Sequence, residues 1–300
     1  MSAPSSLLGI RNSRFFLLLL LLAVSAYALD SPPLTPPQSM FRAHRERFLA
    51  KLPVNAIAIL RSAPPRTFSN DVEYVYRQDS DFYYLTGWEE PDAVAVLRPN
   101  AADGKRYVLF VRGHDARREA YEGKRPGPEG AVSQFGADEA FPVDEFFKSL
   151  ARYESTSRSF TGTLAGIEKV HLADGGDGQW AQKFREAVET MRAREAGPAT
   201  IVDARELLHE MRVVKDADEI ALLRRAAQIT ARAHTLAMKT AAAGKYEFEV
   251  QQALDGYCLS NGARRMAYPS IVGSGPDSVF LHWQKNDRQM KDGEVLLNDS

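Results

Sequence analysis

This chain of 300 residues has a single cysteine, Cys258. An intrachain disulfide is therefore impossible, and any bound ion would be held by oxygen and imidazole rather than thiolate. Cys258 sits between Tyr257 and Leu259 and reads as a buried thiol on a helix. An excess of charge is also lacking: 38 Lys and Arg against 39 Asp and Glu leave a net charge of −1. That balance gives no electrostatic footprint for nucleic acid or an acidic lipid surface. No apolar run reaches the roughly 20 residues that span a bilayer, so no stable membrane anchor is expected. A phosphate cradle is missing too. Gly273-Ser-Gly275 has neither the lysine and helix of a P-loop nor the third glycine of a dinucleotide fingerprint.

What is present describes a globular protein of roughly two domains. With 44% hydrophobic and 26% charged residues the chain can bury a core. At the start, Arg11 and Arg14 precede the apolar run Phe15–Val24 and the small-x-small end Ala26-Tyr-Ala28. This pattern predicts a secretory signal peptide over 1–28, cleaved after Ala28, and hence export to a periplasm or the exterior. A proline-rich spacer follows over 29–38. Ser39 is expected to cap a helix that Pro53 ends. Beyond it, apolar runs at Val54–Leu60, Ala93–Leu97 and Tyr107–Val111 read as strands, and so does Lys169–Ala173. Val143–Tyr153 and Gln179–Ala196 read as helices, the second stopped by Gly197-Pro198. This alternation predicts an α/β domain over 39–198.

A second domain is expected over 199–300. Asp203–Val213 reads as a short helix, and Asp216-Ala-Asp-Glu219 has the form of a capping box. The helix that follows carries an apolar stripe of Ile220, Leu223, Ala226, Ala227, Ala233 and Ala237. Tyr246–Ser260 reads as another helix, and Tyr268–Gly275, Val279–Trp283 and Asp292–Ser300 as three strands. The architecture is the beginning of an α+β domain.

Two residues of this last stretch draw attention. Asp299 ends the apolar run Val295-Leu-Leu, where a buried carboxylate would need a partner or an ion. It reads as a turn aspartate at a strand end, or functionally as one arm of a divalent-ion site. His282 lies between Leu281 and Trp283, as a packed histidine or a ligand-facing one, just after the Gly273-Ser-Gly275 turn. His44, His114, His209 and His234 read as solvated or locally satisfied, and His171 as a core histidine. The aromatic segment Arg77–Pro91 reads as a core strand and loop, or as the lining of a peptide cleft.

Several motifs resemble one family, in order along the chain. Ser80-Asp-Phe-Tyr-Tyr-Leu-Thr-Gly-Trp-Glu-Glu-Pro-Asp-Ala93 is similar to the aminopeptidase P N-terminal domain. His209-Glu-Met-Arg212, Lys215 and Glu219–Ala226 resemble the entry to the catalytic domain. Tyr268, Ile271–Gly275, Leu281-His282 and Asp292–Asp299 resemble its first active-site strands. The resemblance implies a creatinase/aminopeptidase P-type α/β domain followed by the incomplete start of an α+β pita-bread metallopeptidase domain. It implies an exported Xaa-Pro aminopeptidase acting on proline-containing peptides, with a prolidase, or a binding module of the same fold without the metals, as alternatives. Two divalent ions, Mn²⁺ foremost, would be held in that family by two aspartates, a histidine and two glutamates. Asp299 matches the first of those ligands, so the chain by itself is expected to be an inactive fragment. By the same resemblance His282 is the catalytic and substrate-orienting histidine, Tyr268 a substrate-pocket tyrosine, and Tyr83 an aromatic that reaches a neighbouring active site in a homo-oligomer. Trp283, Asp277 and Asn298 depart from the usual tyrosine, asparagine and isoleucine.

Overall fold

The structure is a computed structural model that describes residues 35–101, 105–154 and 159–300, with no side-chain description over 152–161. The expected signal peptide and most of the spacer lie outside the described residues. Among the described residues, no helix is long and apolar enough to cross a membrane. The described chain divides into two compact units, Pro36–Glu219 and Ile220–Ser300.

The first unit is built on a six-stranded sheet. Its elements in order are α1 (Gln38–Leu49), β1 (Ala56–Arg61), the small hairpin β2 (Thr67–Ser69) and β3 (Val72–Glu73), α2 (Ser80–Thr86), β4 (Val94–Leu97) and β5 (Tyr107–Val111). Next come α3 (Ala116–Glu122), α4 (Gly127–Ser133), β6 (Glu139–Pro142), α5 (Phe146–Ser149), the hairpin β7 (Arg152–Glu154) and β8 (Ser159–Thr161), and β9 (Lys169–Ala173). The last are α6 (Gly178–Arg192), β10 (Thr200–Asp203) and α7 (Arg205–Val213). The sheet order is β10-β9-β1-β4-β5-β6. β1 pairs in parallel with β9 and antiparallel with β4. All six residues of β1 are buried, because apolar layers cover both faces of the sheet. One layer gathers Phe48, Phe82, Leu85 and Trp88; the other gathers Phe146, Trp180, Phe184 and Val188.

Lys169–Ala173 is a strand as read from sequence, whereas other expectations need correcting. The segment around Phe82 is not a strand and loop but a helix. The Asp79 carboxylate accepts from the N–H groups of Asp81 and Phe82, and Gly87 ends the helix with φ of 66°. Val143–Tyr153 is not one helix: a 3₁₀ turn leads into the four-residue α5, and the chain then extends as β7. The expected division at 198/199 falls within this unit, because β10 adds a parallel strand beside β9.

α8 (Ala217–Thr240) opens at the capping box. The Asp216 carboxylate accepts from Glu219 N at 3.0 Å, and the Glu219 carboxylate accepts from Asp216 N at 2.9 Å. Of the expected apolar stripe only Ala233 and Ala237 are buried, joined by Ile229 at the same four-residue spacing. Ile220 and Leu223 are exposed. In the second unit, Ile229, Ala233 and Ala237 pack with Val250, Leu254 and Cys258 of α9 (Glu247–Ser260) and with Val272 and Met290. Cys258 is buried, and desolvation holds its thiol pKa up.

Two of the three expected strands form. β11 (Ile271–Ser274) and β12 (Leu296–Asp299) pair antiparallel, with Ile271 opposite Asp299. Val279–Trp283 does not form the third. Gly275, with φ of 52°, and Pro276 start a 3₁₀ turn, and Ser278 donates its hydroxyl back to Gly275 O at 2.7 Å. Gly273 is needed for a close approach within the chain: a side chain there would meet Asp277 O at 2.7 Å.

Candidate functional site

Tyr268 and Asp299 come together. Asp299 ends β12 directly across from Ile271, and the Tyr268 hydroxyl donates to the Asp299 carboxylate. That hydrogen bond, first, and then desolvation raise the tyrosine's pKa. Both residues are exposed, so the pair presents one carboxylate and one phenol at the surface of the sheet end.

His282 is exposed in a turn rather than set in a strand. Its segment is nevertheless well tethered. Ser274 N and the Ser274 hydroxyl donate to one oxygen of the Glu247 carboxylate at 2.6 and 2.7 Å. Trp283 Nε1, next to His282, and Arg288 N donate to the other oxygen at 3.0 and 3.2 Å. Glu247 is fully buried, and this carboxylate is tolerated because four donors satisfy it. Asn286, also buried and left-handed at φ of 49°, accepts from Val272 N at 3.1 Å and donates to Ser270 O at 2.8 Å. A side-chain amide that takes the N–H of one residue and reaches the C=O two residues earlier reproduces what a parallel strand would offer. Side chains therefore occupy the edge of β11 away from β12. Arg288 extends the network through Ser274 Oγ at 2.8 Å and Glu294 at 2.5 and 2.7 Å. The guanidinium holds the Glu294 carboxyl down at about 2.

Tyr83 belongs to the first unit. It lies half-buried on α2, edge-on to Phe41 with ring centroids 5.3 Å apart. His44 is buried rather than solvated. It bonds Tyr84 O at 2.8 Å and Asp216 at 3.0 Å, across 40 and 172 residues of chain. With Glu219 these form the one group of three histidine and carboxylate side chains, among the described residues, whose ligand atoms all lie within 4.8 Å. The group is a structural clasp. Asp216 and Glu219 are committed to the capping box, both nitrogens of His44 are engaged, and the Arg47 guanidinium already occupies Asp216 at 3.1 Å. His171 is a core histidine as expected, with burial lowering its pKa.

Comparison with known proteins decides the family. Residues 41–160 match the aminopeptidase P N-terminal domain and residues 221–300 the metallopeptidase family M24. The Xaa-Pro aminopeptidase of Escherichia coli K12 is 35% identical over 264 residues, covering 87% of this chain and 58% of that protein. The chain belongs to the aminopeptidase P branch of the M24 metallopeptidases. Human Xaa-Pro aminopeptidase 3 is 30% identical, covering 80% of this chain and 46% of that protein. Among solved structures, Pseudomonas aeruginosa aminopeptidase PepP superposes with a TM-score of 0.80 at 37% identity, covering 88% of this chain and 58% of that one. The E. coli aminopeptidase P with the inhibitor Pro-Leu gives 0.79 at 35% identity, with the same coverage. The chain thus spans about half the length of the relatives it matches. Within this M24 framework the Glu247 and Asn286 anchors are the residues that sequence reading missed. Glu247 looks there like an ordinary acid in the first turn of a helix, and nothing local marks its burial.

Proposed function

We propose that the protein carrying this chain is an exported, metal-dependent Xaa-Pro aminopeptidase that releases an N-terminal residue preceding proline. The observation that carries this reading is the Tyr268–Asp299 pair at the β11–β12 sheet end of an M24 chain. Asp299 offers the hard carboxylate oxygen that a divalent ion such as Mn²⁺ prefers, and Tyr268 orients it. The bound metal would supply Lewis acidity toward the scissile carbonyl. Of this chain's own groups, Asp299 would hold metal, His282 would hydrogen-bond and orient the peptide, and Tyr268 would line its pocket. Proline fixes φ and removes the amide hydrogen of the scissile bond, so such a substrate needs a dedicated pocket. Arg11, Arg14 and the run Phe15–Val24 support export. Tyr83, half-buried on α2, supports a homo-oligomer in which it reaches a second copy.

The test is the intact gene product assayed on Arg-Pro-Pro and on an Xaa-Pro dipeptide, chelated and then reloaded with Mn²⁺. Tripeptide cleavage that vanishes on chelation and falls in His282→Ala is expected. Hydrolysis confined to the dipeptide would make it a prolidase, and unchanged turnover in His282→Ala would remove the histidine's role.

A further inference from the structure

The segment that bears His282 leaves β11 at Ser274 and returns at Arg288 without forming a strand of its own. Its apolar residues Val279, Phe280 and Leu281 are exposed. Its restraint is polar: Asn286 and Arg288 hold its later part, and one carboxylate reaches it at three points. Glu247 takes Ser274 where the segment begins, Trp283 beside the histidine, and Arg288 where it ends. We infer that Glu247 is a positioning residue, fixing His282 for its part in the reaction by clamping the start, middle and end of its loop. This inference rests on the role given to His282 under the proposed function.

The geometry dictates why a carboxylate is needed. Both oxygens accept, two donors apiece, in a fully buried site. An isosteric amide keeps one acceptor and turns an NH₂ group toward two donors, so one half of the clamp must open. A charged acceptor also forms the stronger bonds. With half of the clamp open, the loop is held by Asn286, by Arg288 and by what remains of the clamp, and a misplacement of about 1 Å at a catalytic group costs on the order of a hundredfold in rate.

The experiment joins spectroscopy to kinetics on the intact protein. The Trp283 indole N–H resonance, assigned with Trp283→Phe, reports the bond to Glu247 directly. In Glu247→Gln that resonance should move, and turnover of Arg-Pro-Pro should fall on the order of a hundredfold. In a His282→Ala background the same substitution should cost little more, because both changes remove one function. Should Glu247→Gln fail to fold, Trp283→Phe takes away a single donor and should lower turnover by roughly tenfold. An indole resonance unmoved by Glu247→Gln overturns the inference. So does a full additional loss in the His282→Ala background, which would mark Glu247 as a general structural residue. If His282→Ala alone leaves turnover unchanged, the proposed role of His282 fails, and the anchoring is still decided by the indole resonance.

Discussion

In the Pro36–Glu219 unit β1 has a strand bonded on each side and apolar layers on both faces; in the Ile220–Ser300 unit β11 has one strand partner and, on its other edge, the side chains of Glu247 and Asn286. The first arrangement is held by burial, with Trp88, Phe82, Phe146 and Phe184 fully enclosed. The second has a smaller core in which Ala233, Ala237 and Cys258 pack with Ile229, Val250, Leu254, Val272 and Met290, with no aromatic ring among its buried residues. The difference separates two tasks. Burial is non-directional and makes a scaffold stable. Hydrogen bonds to buried, ionised or amide groups are directional and fix where a loop lies.

The largest effect should come from attacking burial in the first unit. Phe184 stacks on Trp180 with centroids 5.6 Å apart and is fully buried. Phe184→Ala should cost about 3–5 kcal/mol through lost transfer energy and a cavity, read by denaturant unfolding of the protein. A loss under about 1 kcal/mol would mean that the aromatic layer is not what holds the sheet.

A smaller, local effect should come from polar groups at that unit's periphery. His114 bonds Glu119 at 2.7 Å, and Lys124 joins at 3.0 Å. The hydrogen bonds from His114 and then Lys124 hold the Glu119 carboxyl down at about 2, and the hydrogen bond to Glu119 raises the His114 imidazole. The signs set the window. Glu119's contribution is present above its ordinary 4.5 and is lost as pH falls through about 2. His114's contribution is present below its ordinary 6.5 and is lost as pH rises through the raised value. Both are therefore complete only between 4.5 and 6.5. An NMR titration should find the His114 midpoint above 6.5, falling back in Glu119→Gln. A midpoint that the substitution does not move would break the pairing.

The sequence carries the scaffold more openly than the site. Val94–Leu97 and Tyr107–Val111 are legible because a strand buried on both faces is a continuous apolar run, and the Asp216–Glu219 box because a cap is local chemistry three residues long. The helix at Ser80–Thr86 is hidden because its aromatic residues suit a strand, and the Asp79 cap and Gly87 outweigh them. Tyr268 and Asp299 can each be picked out singly, but their meeting depends on the β11–β12 register. Glu247 is the least legible, since its partners lie 27, 36 and 41 residues along the chain. The apolar run Val279-Phe-Leu reads as a strand, yet Gly275 and Pro276 turn it out of the sheet.

The central claim, that side chains stand in for a strand along β11, is tested most directly by amide hydrogen exchange at Val272 in Asn286→Ala. The substitution removes the acceptor of Val272 N and the donor to Ser270 O, at a cost of about 1–3 kcal/mol for the buried groups left unpaired. The Val272 amide should lose protection by roughly tenfold to a hundredfold, while amides of β1 keep theirs. Val272 protection that survives Asn286→Ala unchanged, or a loss spread equally over β1, would contradict the account.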